Sequence, residues 1–176
     1  MKVLFLDIDG VLNSIGRARA YSGTELRNGG MGFPCQLEHS DAMLDRNAVA
    51  ILRRFVELHG FKIVLSSSWR SGDAAADIAL FKTAFAREFD WPDFPMIGIT
   101  PRLEQKWIRG VEVNRWICMH GGQCRDYVII DDESDFTNHQ KKFHLYQTDM
   151  DEGLTWGIFS WYDKRQEREL SVKEES

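Results

Sequence analysis

Short apolar runs recur along the chain and alternate with longer segments that place an apolar residue at every third or fourth position. The runs cover residues 2–6, 62–66, 95–100, 126–131 and 143–147. Most of them lack strict alternation of apolar and polar residues, which is typical of strands covered on both faces. Because helical segments separate the runs, the pattern predicts a parallel sheet of about five strands with right-handed crossover connections.

Three segments combine helical periodicity with signals for the ends of a helix. Asp45 precedes an apolar stripe that ends at Gly60, and Asp73 precedes a second stripe over residues 74–89. An aspartate in this position accepts hydrogen bonds from the free N–H groups of the first turn, and a glycine often ends a helix. A third stripe, residues 110–122, ends at glycines. The predicted fold class is therefore α/β, a Rossmann-like three-layer sandwich with helices on both faces of the sheet.

Two segments fall outside this alternation. Residues 14–41 hold many glycines and few apolar runs, and their length predicts a flap or a minimal cap inserted into the domain. Residues 163–176 carry mixed charge and almost no apolar residues, which predicts a solvated helical end or a frayed tail. The predicted organisation is a single domain, residues 1–162, followed by a charged C-terminal tail.

The composition of the 176 residues is that of a globular protein, with 43% hydrophobic and 28% charged residues. The formal net charge of −5 argues against tight, non-specific binding of nucleic acid through bulk charge. Cys35, Cys118 and Cys124 match no zinc-binding spacing, and we expect them to be thiols in a reducing compartment. The N-terminal residues do not resemble a signal peptide, and no stretch is long enough to span a membrane. We therefore expect a cytoplasmic protein with no membrane contact, and the sequence indicates no obligate protein partner.

Polar side chains follow three of the predicted strands at their carboxyl ends. Asp7 and Asp9 follow the first strand, Ser66 ends the second, and Asp131 and Asp132 end the fourth. Ligands of open parallel sheets bind beyond the carboxyl ends of the strands, so we expect these side chains to share one edge. Carboxylates this close repel one another unless a cation lies among them, and oxygen ligands without histidine or thiolate favour Mg²⁺. Each acid alone could be a helix cap or a turn residue, but the three strand ends together favour a magnesium site.

The residues around these acids resemble the motifs of the haloacid dehalogenase-like (HAD) phosphohydrolases. The stretch DIDGVLN, which begins at Asp7, is similar to the first motif, Ser66 to the second, and IIDDESD, which begins at Ile129, to the acidic fourth. The third motif is one basic residue, which Arg109 fits best and for which Lys106 is the alternative. The stretches SSSWR, RGVEVNRW, IIDDESDF and QTDMDEGLT resemble most closely the phosphatase domains of Swiss-army-knife RNA repair proteins.

This resemblance, which covers roughly residues 1–157, implies a Mg²⁺-dependent phosphomonoester hydrolase that works through an aspartyl phosphate. It implies that Asp7 is the nucleophile and that Asp9 is the general acid and base. The implied catalytic residues are Asp7, Asp9, Ser66 and Arg109. The implied metal-site residues are Asp7, Asp9 through its backbone carbonyl, Asp131, Asp132 and Asp135. The implied substrate-binding residues are Asp7, Ile8, Asp9, Ser66, Ser67, Trp69, Arg70 and Arg109.

Several assignments stay open at this point. Asp132 or Asp135 would orient a water bound to the metal and would not bind the metal directly. Asp135 could equally be a helix cap. Trp69 could stack on a base while Arg70 pairs with a phosphate; alternatively, Trp69 packs the loop and Arg70 pairs with a nearby acid.

The substrate is also open. The first-motif insertion, residues 14–41, is too short for the larger cap domains of the family, so we expect an open site. An open site suits a large phosphorylated substrate such as a nucleic-acid end, or a nucleotide. The alternatives are a small-metabolite or 5′-nucleotide phosphatase and, in another class, a phosphate-binding module without turnover.

Overall fold

The protein is described by a computed structural model, which covers residues 1–16, 44–103, 108–120 and 122–174. Within these ranges five strands form one sheet, in the order β3-β2-β1-β4-β5, and every pair of neighbours is parallel. The strands are β1 (Lys2–Leu6), β2 (Phe61–Leu65), β3 (Met96–Ile99), β4 (Asp126–Asp131) and β5 (Leu145–Gln147). The parallel five-stranded sheet that the sequence predicts is confirmed.

Helices connect the strands, and the predicted helix starts agree with the structure. The Asp45 carboxylate accepts from a first-turn N–H, the Asp73 carboxylate accepts from two, and Gly60 ends the first of these helices in the left-handed conformation with φ of 71°. The helices are α1 (Arg46–His59), α2 (Ala74–Phe89), α3 (Arg109–Met119), α4 (Asn138–Phe143) and α5 (Gly157–Glu174).

Alternate residues of each strand bury on opposite faces of the sheet. Leu4 and Leu6 of β1 pack in the larger core beneath α1, α2 and α5, whereas Val3 and Phe5 pack in the smaller core beneath α3. From Val3 to Leu6 both faces of the central strand are covered, which explains why this part of its sequence is apolar without a break. The three-layer α/β/α arrangement predicted from the sequence is therefore confirmed.

One predicted strand boundary and one short helix differ from the structure near the C-terminal strands. Phe143 belongs to the end of α4, so the last strand begins at Leu145 rather than at residue 143. Helix α4 is short, and its start is fixed by a capping box in which Thr137 and Gln140 bond each other's backbone N–H groups. Its six residues are too few for a clear apolar stripe, so periodicity alone misses it.

The charged C-terminal segment is largely helical. Helix α5 continues through Glu174, and the predicted boundary at residue 162 falls inside it. Arg165, within the predicted tail, is buried against the sheet, while its neighbours Asp163 and Lys164 are exposed. The predicted flap at 14–41 lies, after residue 16, outside the described residues. None of the helices in the described part is long and apolar enough to cross a bilayer.

Candidate active site

The site lies where the chain reverses its strand order, between β1 and β4. Leu6 is opposite Ile130 in the sheet register, so Asp7 and Asp131 follow as neighbours at the carboxyl end. The N–H of Asp7 donates to the carbonyl of Ile130 at 3.0 Å, which extends the sheet by one residue. Such a reversal opens a crevice at the carboxyl ends of the strands, the usual ligand site of this kind of fold.

The turn after Asp7 needs a glycine. Gly10 has φ of 67°, and a Cβ on it would lie 2.5 Å from the Asp132 carboxylate. Thr148 donates its hydroxyl to the Gly10 carbonyl at 2.9 Å and ties the turn to the segment after β5. Val11 and Leu12 are fully buried and anchor the turn in the core. The apolar pair after the glycine thus fixes the backbone that carries the acids.

Three carboxylates meet at this crevice. Asp7, Asp131 and Asp132 each place an oxygen within 4.8 Å of the others, and Asp7 and Asp131 are 4% and 0% exposed. Burial, together with the nearby Asp7 charge, raises the pKa of Asp131 to about 8 and that of Asp132 to about 6. Burial also raises the pKa of Asp7, against the opposing effect of Arg109. Clustered, buried oxygen ligands with this surplus of negative charge fit Mg²⁺.

Arg109 supplies the positive charge at the site. Its Nη1 lies 2.9 Å from Asp7 Oδ1 and 3.1 Å from Asp131 Oδ2, and it also donates to the Ser66 carbonyl at 2.6 Å. Burial by itself would lower the pKa of Arg109, but the two carboxylates raise it above its ordinary value. The structure thus brings Arg109 to the acids, while its alternative Lys106 lies outside the described residues.

Asp135 lies outside the cluster and holds the start of α3. Its Oδ2 accepts the N–H of Arg109 at 3.0 Å, and its carbonyl accepts the N–H of Gly110 at 3.2 Å. Gln140, which the sequence analysis misses, donates to the Gly110 carbonyl at 2.9 Å. A Cβ on Gly110 would collide with Gln140, so glycine lets α3 approach this side chain closely. Asp135 thus fixes the backbone of Arg109 at the start of α3, whereas the residue that caps the helix following Asp135 is Thr137.

Asp9 faces a different set of groups from Asp7. Its Oδ1 accepts from Asn13 Nδ2 at 2.8 Å, and its Oδ2 accepts from Ser68 Oγ at 3.3 Å. The indole Nε1 of Trp69 lies 3.0 Å from both oxygens. Asp9 is partly exposed, so its carboxylate is both held by the protein and reachable from outside. The sequence suggests that Trp69 stacks on a base or packs the loop, and neither interpretation includes this hydrogen bond to Asp9.

A protein-family sequence model described as the HAD domain in Swiss Army Knife RNA repair proteins matches residues 3–157. The chain belongs to this family. Its HAD domain carries Asp7, Ser66, Arg109 and Asp131 at the four strand and helix ends that the motif resemblance predicts. Among curated proteins, the search finds no match to the chain. Membership in the family supports hydrolase chemistry of the phosphatase type in general.

Arg70 is buried behind the site of this HAD domain. Its guanidinium donates to the carbonyl of Ser67 at 2.7 Å and to that of Thr100 at 3.0 Å, and it pairs with Glu112 at 2.9 Å. Burial lowers the pKa of Arg70, and Glu112 opposes that shift. Because Glu112 lies one turn after Arg109 in α3, the ion pair joins the loop after β2 to the helix that carries Arg109.

Ser66 and Ser67 directly follow the second strand of the HAD domain, beside Asp7. Ser66 is 1% exposed, and its hydroxyl has no hydrogen-bond partner within the part of the chain that the structure describes. A buried hydroxyl without a partner is uncommon, so the Ser66 hydroxyl is a candidate for contact with a ligand. Burial raises the pKa of Asp7, and the nearby Ser67 side chain opposes that rise. The Ile8 side chain is fully buried, so its backbone is the part that could meet a substrate.

Proposed function

We propose that this HAD domain is a Mg²⁺-dependent phosphomonoester hydrolase that acts through an aspartyl phosphate. The observation that carries the proposal is the position of Asp7. It is a buried carboxylate at the carboxyl end of the central strand, 2.9 Å from the Arg109 guanidinium and within 4.8 Å of two further acids. A second carboxylate, Asp9, follows two residues later and has its own set of donors. These two acids supply the nucleophile and the proton donor that ester cleavage requires.

In the first half of the reaction, a carboxylate oxygen of Asp7 attacks the phosphorus in line with the ester oxygen. The bond from phosphorus to the ester oxygen breaks, and its electron pair leaves with the alcohol. Protonated Asp9 gives its proton to that oxygen, so the product leaves as a neutral alcohol. The phosphoryl group then stays on Asp7 as an acyl phosphate.

In the second half, water attacks the phosphorus of the aspartyl phosphate. Asp9, now ionised, takes a proton from this water, and the bond from phosphorus to the Asp7 oxygen breaks. Inorganic phosphate is released, the Asp7 carboxylate is restored, and Asp9 is again protonated. One acid therefore serves as general acid and then as general base, which keeps the proton balance closed over the cycle.

The remaining groups neutralise and hold the phosphoryl group. Arg109 reaches the region of the Asp7 oxygens, and the unpartnered hydroxyl of Ser66 can donate to a phosphoryl oxygen. Asp7, Asp131 and Asp132 would hold Mg²⁺. When bound, the ion supplies positive charge that offsets the phosphoryl oxygens and the surplus of carboxylates.

We propose a nucleic-acid end or a nucleotide as the phosphorylated substrate. The family's description names RNA repair proteins, and residues 67–103 contain α2, β3 and their connections rather than a cap domain. Arg102 is exposed and donates to the carbonyl of Ser68 at 2.7 Å, next to the serine hydroxyl that bonds Asp9. A cation on the side of the proton donor favours leaving groups that carry further phosphates.

A phosphate-release screen tests the proposal. The substrates are 3′- and 5′-phosphorylated oligonucleotides, nucleotides and sugar phosphates, each with Mg²⁺ and with a chelator in its place. We expect release from oligonucleotide or nucleotide substrates with Mg²⁺, and none from the Asp7→Asn protein. Turnover confined to sugar phosphates would reject the substrate class, and no turnover on any ester would reject the hydrolase itself.

A further inference from the structure

Trp69 makes a contact that loop packing alone does not require. Its ring is 8% exposed, and its single N–H points between the two oxygens of the Asp9 carboxylate, 3.0 Å from each. A buried indole N–H normally finds one acceptor, and a carbonyl of the surrounding loop would serve as well. Here the acceptor is the carboxylate to which the mechanism assigns the proton transfers. Trp69 is sixty residues away from Asp9 in the chain, so this contact is a product of the fold.

The groups that donate hydrogen bonds to Asp9 differ in whether they can also accept one. Asn13 Nδ2 and the indole N–H can only donate. The indole N–H lies 3.0 Å from both oxygens and does not distinguish them, whereas Asn13 reaches Oδ1 alone, at 2.8 Å. A proton on Oδ1 would therefore point at the Asn13 N–H, which cannot accept it. Ser68, which reaches Oδ2 at 3.3 Å, carries a hydroxyl that can turn and accept. The bond from Ser68 is the longest of these, and its hydroxyl is the group that can turn to accept a hydrogen bond from a protonated Oδ2.

We infer that Trp69 is a positioning residue for Asp9, and that Asp9 carries its catalytic proton on Oδ2. The inference rests on the proposed function, because it assigns a role within the same reaction. The indole N–H fixes the carboxylate plane, while Asn13 fixes Oδ1 as the acceptor. Oδ2 then faces Ser68, which is exposed, and so points toward the open side of the site from which the ester oxygen leaves.

The variant Trp69→Phe tests this role because it removes the N–H and keeps most of the ring. Removing a general acid costs about 10²–10⁴-fold for esters that need a proton on the leaving oxygen. Trp69→Phe misplaces the general acid without removing it, so we expect a part of this loss: kcat for an alkyl phosphate should fall by about 10-fold or more. For p-nitrophenyl phosphate, whose leaving group needs no proton, we expect a loss of less than about 3-fold. In the Asp9→Asn background the same change should add no leaving-group-dependent loss.

Two measurements make the test specific. Trp91→Phe is the matched control, since Trp91 is also buried but packs against Phe85 and Phe94 in the core. Both esters should respond alike to it. The second measurement leaves Trp69 in place: the indole N–H resonance of Trp69 should move between the wild type and Asp9→Asn, while that of Trp91 should not. This readout serves even if Trp69→Phe folds poorly.

The outcomes separate the inference from the function on which it rests. Equal losses on the two esters, an unmoved Trp69 resonance, or a rise in KM limited to nucleotides would overturn the positioning role. The last of these would indicate stacking on a base instead. A wild-type protein that hydrolyses neither ester would overturn the proposed function. If the wild type is active and Trp69→Phe leaves the ratio between the two esters unchanged, only the positioning role is overturned.

Discussion

Each end of the sheet buries an arginine against aspartate, and the two ends balance their charges differently. At the amino end, Arg165 from α5 pairs with Asp126, the first residue of β4. Tyr162 donates to the second oxygen of Asp126 at 3.2 Å, and Lys2 donates to the Tyr162 hydroxyl at 3.3 Å. Among the contacts of the described residues, one cation therefore meets the Asp126 carboxylate, and both oxygens of this carboxylate have donors from the protein.

At the carboxyl end, a single arginine faces three acids. Arg109 is shared between Asp7 and Asp131, and Asp132 lies beside them without a comparable cation among the described residues. Burial and mutual repulsion raise the pKa of Asp131 to about 8 and that of Asp132 to about 6. The protein thus leaves a surplus of carboxyl groups over cations at this end, and ionising all of them costs stability.

The difference separates a structural ion pair from a reactive one. A matched buried pair needs no further ligand and fixes a helix to the sheet. The stability of the rest of the core offsets the cost of a site with unmatched charge, and a bound cation stabilises such a site. Substitutions at the two ends should therefore have opposite effects on turnover and on stability.

The largest expected effect is on turnover at the carboxyl end. Asp7→Asn should lower kcat by about 10⁴-fold or more, because an amide cannot form the acyl phosphate. The free energy of unfolding should stay the same or rise, since one carboxylate of the surplus is removed. Phosphate release and denaturant unfolding measure the two quantities. Asp126→Asn is the matched control at the other end and should keep its turnover; full turnover in a clean Asp7→Asn preparation would reject the covalent mechanism.

A smaller loss of turnover should follow from removing Arg109, the cation at the carboxyl end. Arg109→Ala should lower kcat by about 10²–10³-fold, the range found when one group that stabilises transition-state charge is lost. Lys106→Ala, the alternative of the sequence analysis, should stay within a few-fold of wild type. Steady-state kinetics on one substrate compares the two variants directly. A large loss for Lys106→Ala with normal turnover in Arg109→Ala would reverse the assignment of the third motif.

The placement of acids at strand ends could be predicted because it depends on local pattern and on topology. Asp7 follows a run of apolar residues, and Asp131 ends another, so a parallel sheet brings them to one edge whatever the details of packing. The turn at Gly10 is equally local, since glycine followed by two buried apolar residues marks a tight return to the core. Sequence reasoning is strong where the chain itself sets the geometry.

The groups that hold these acids could not be found in the same way. Thr148 bonds Gly10 across 138 residues, and Trp69 bonds Asp9 across 60. No spacing in the sequence encodes such a contact, which depends on side-chain rotamers and on the packing of separate loops. Arg165 is the sharpest example: its segment has the composition of a solvated tail, yet its guanidinium lies near the Tyr162 ring and pairs with Asp126.

At the amino end, breaking the matched pair should affect stability rather than chemistry. Arg165→Ala should lower the free energy of unfolding by about 2–3 kcal/mol, somewhat below the cost for a fully buried pair because Asp126 is partly exposed. This corresponds to about a 100-fold change in the folding constant, since 1.4 kcal/mol is a factor of ten. Arg168→Ala, an exposed arginine one turn later in α5, is the control and should change stability little. A drop in kcat for folded Arg165→Ala would contradict the division between the two ends.

The last expected effect is a dependence of stability on pH and Mg²⁺ that belongs to the carboxyl end. The pKa of Asp131 rises from 3.8 in the unfolded chain to about 8 in the fold, and that of Asp132 to about 6. A folded state with the higher pKa holds more protons between these values, so the metal-free protein should lose stability as the pH rises from about 4 to about 8. Mg²⁺ needs ionised ligands, so its stabilisation should be greater at pH 8 than at pH 5.

Thermal or denaturant unfolding with and without Mg²⁺ measures this linkage at each pH. Mg²⁺ at about 100 times its dissociation constant should add about 2.7 kcal/mol at pH 8, and about half of that or less at pH 5. Asp131→Asn should flatten the pH dependence and reduce the response to Mg²⁺, whereas Asp126→Asn should retain both. The same Mg²⁺ response at both pH values, or a metal-free stability that does not fall over this range, would mean that the surplus charge at the carboxyl end is relieved within the protein itself.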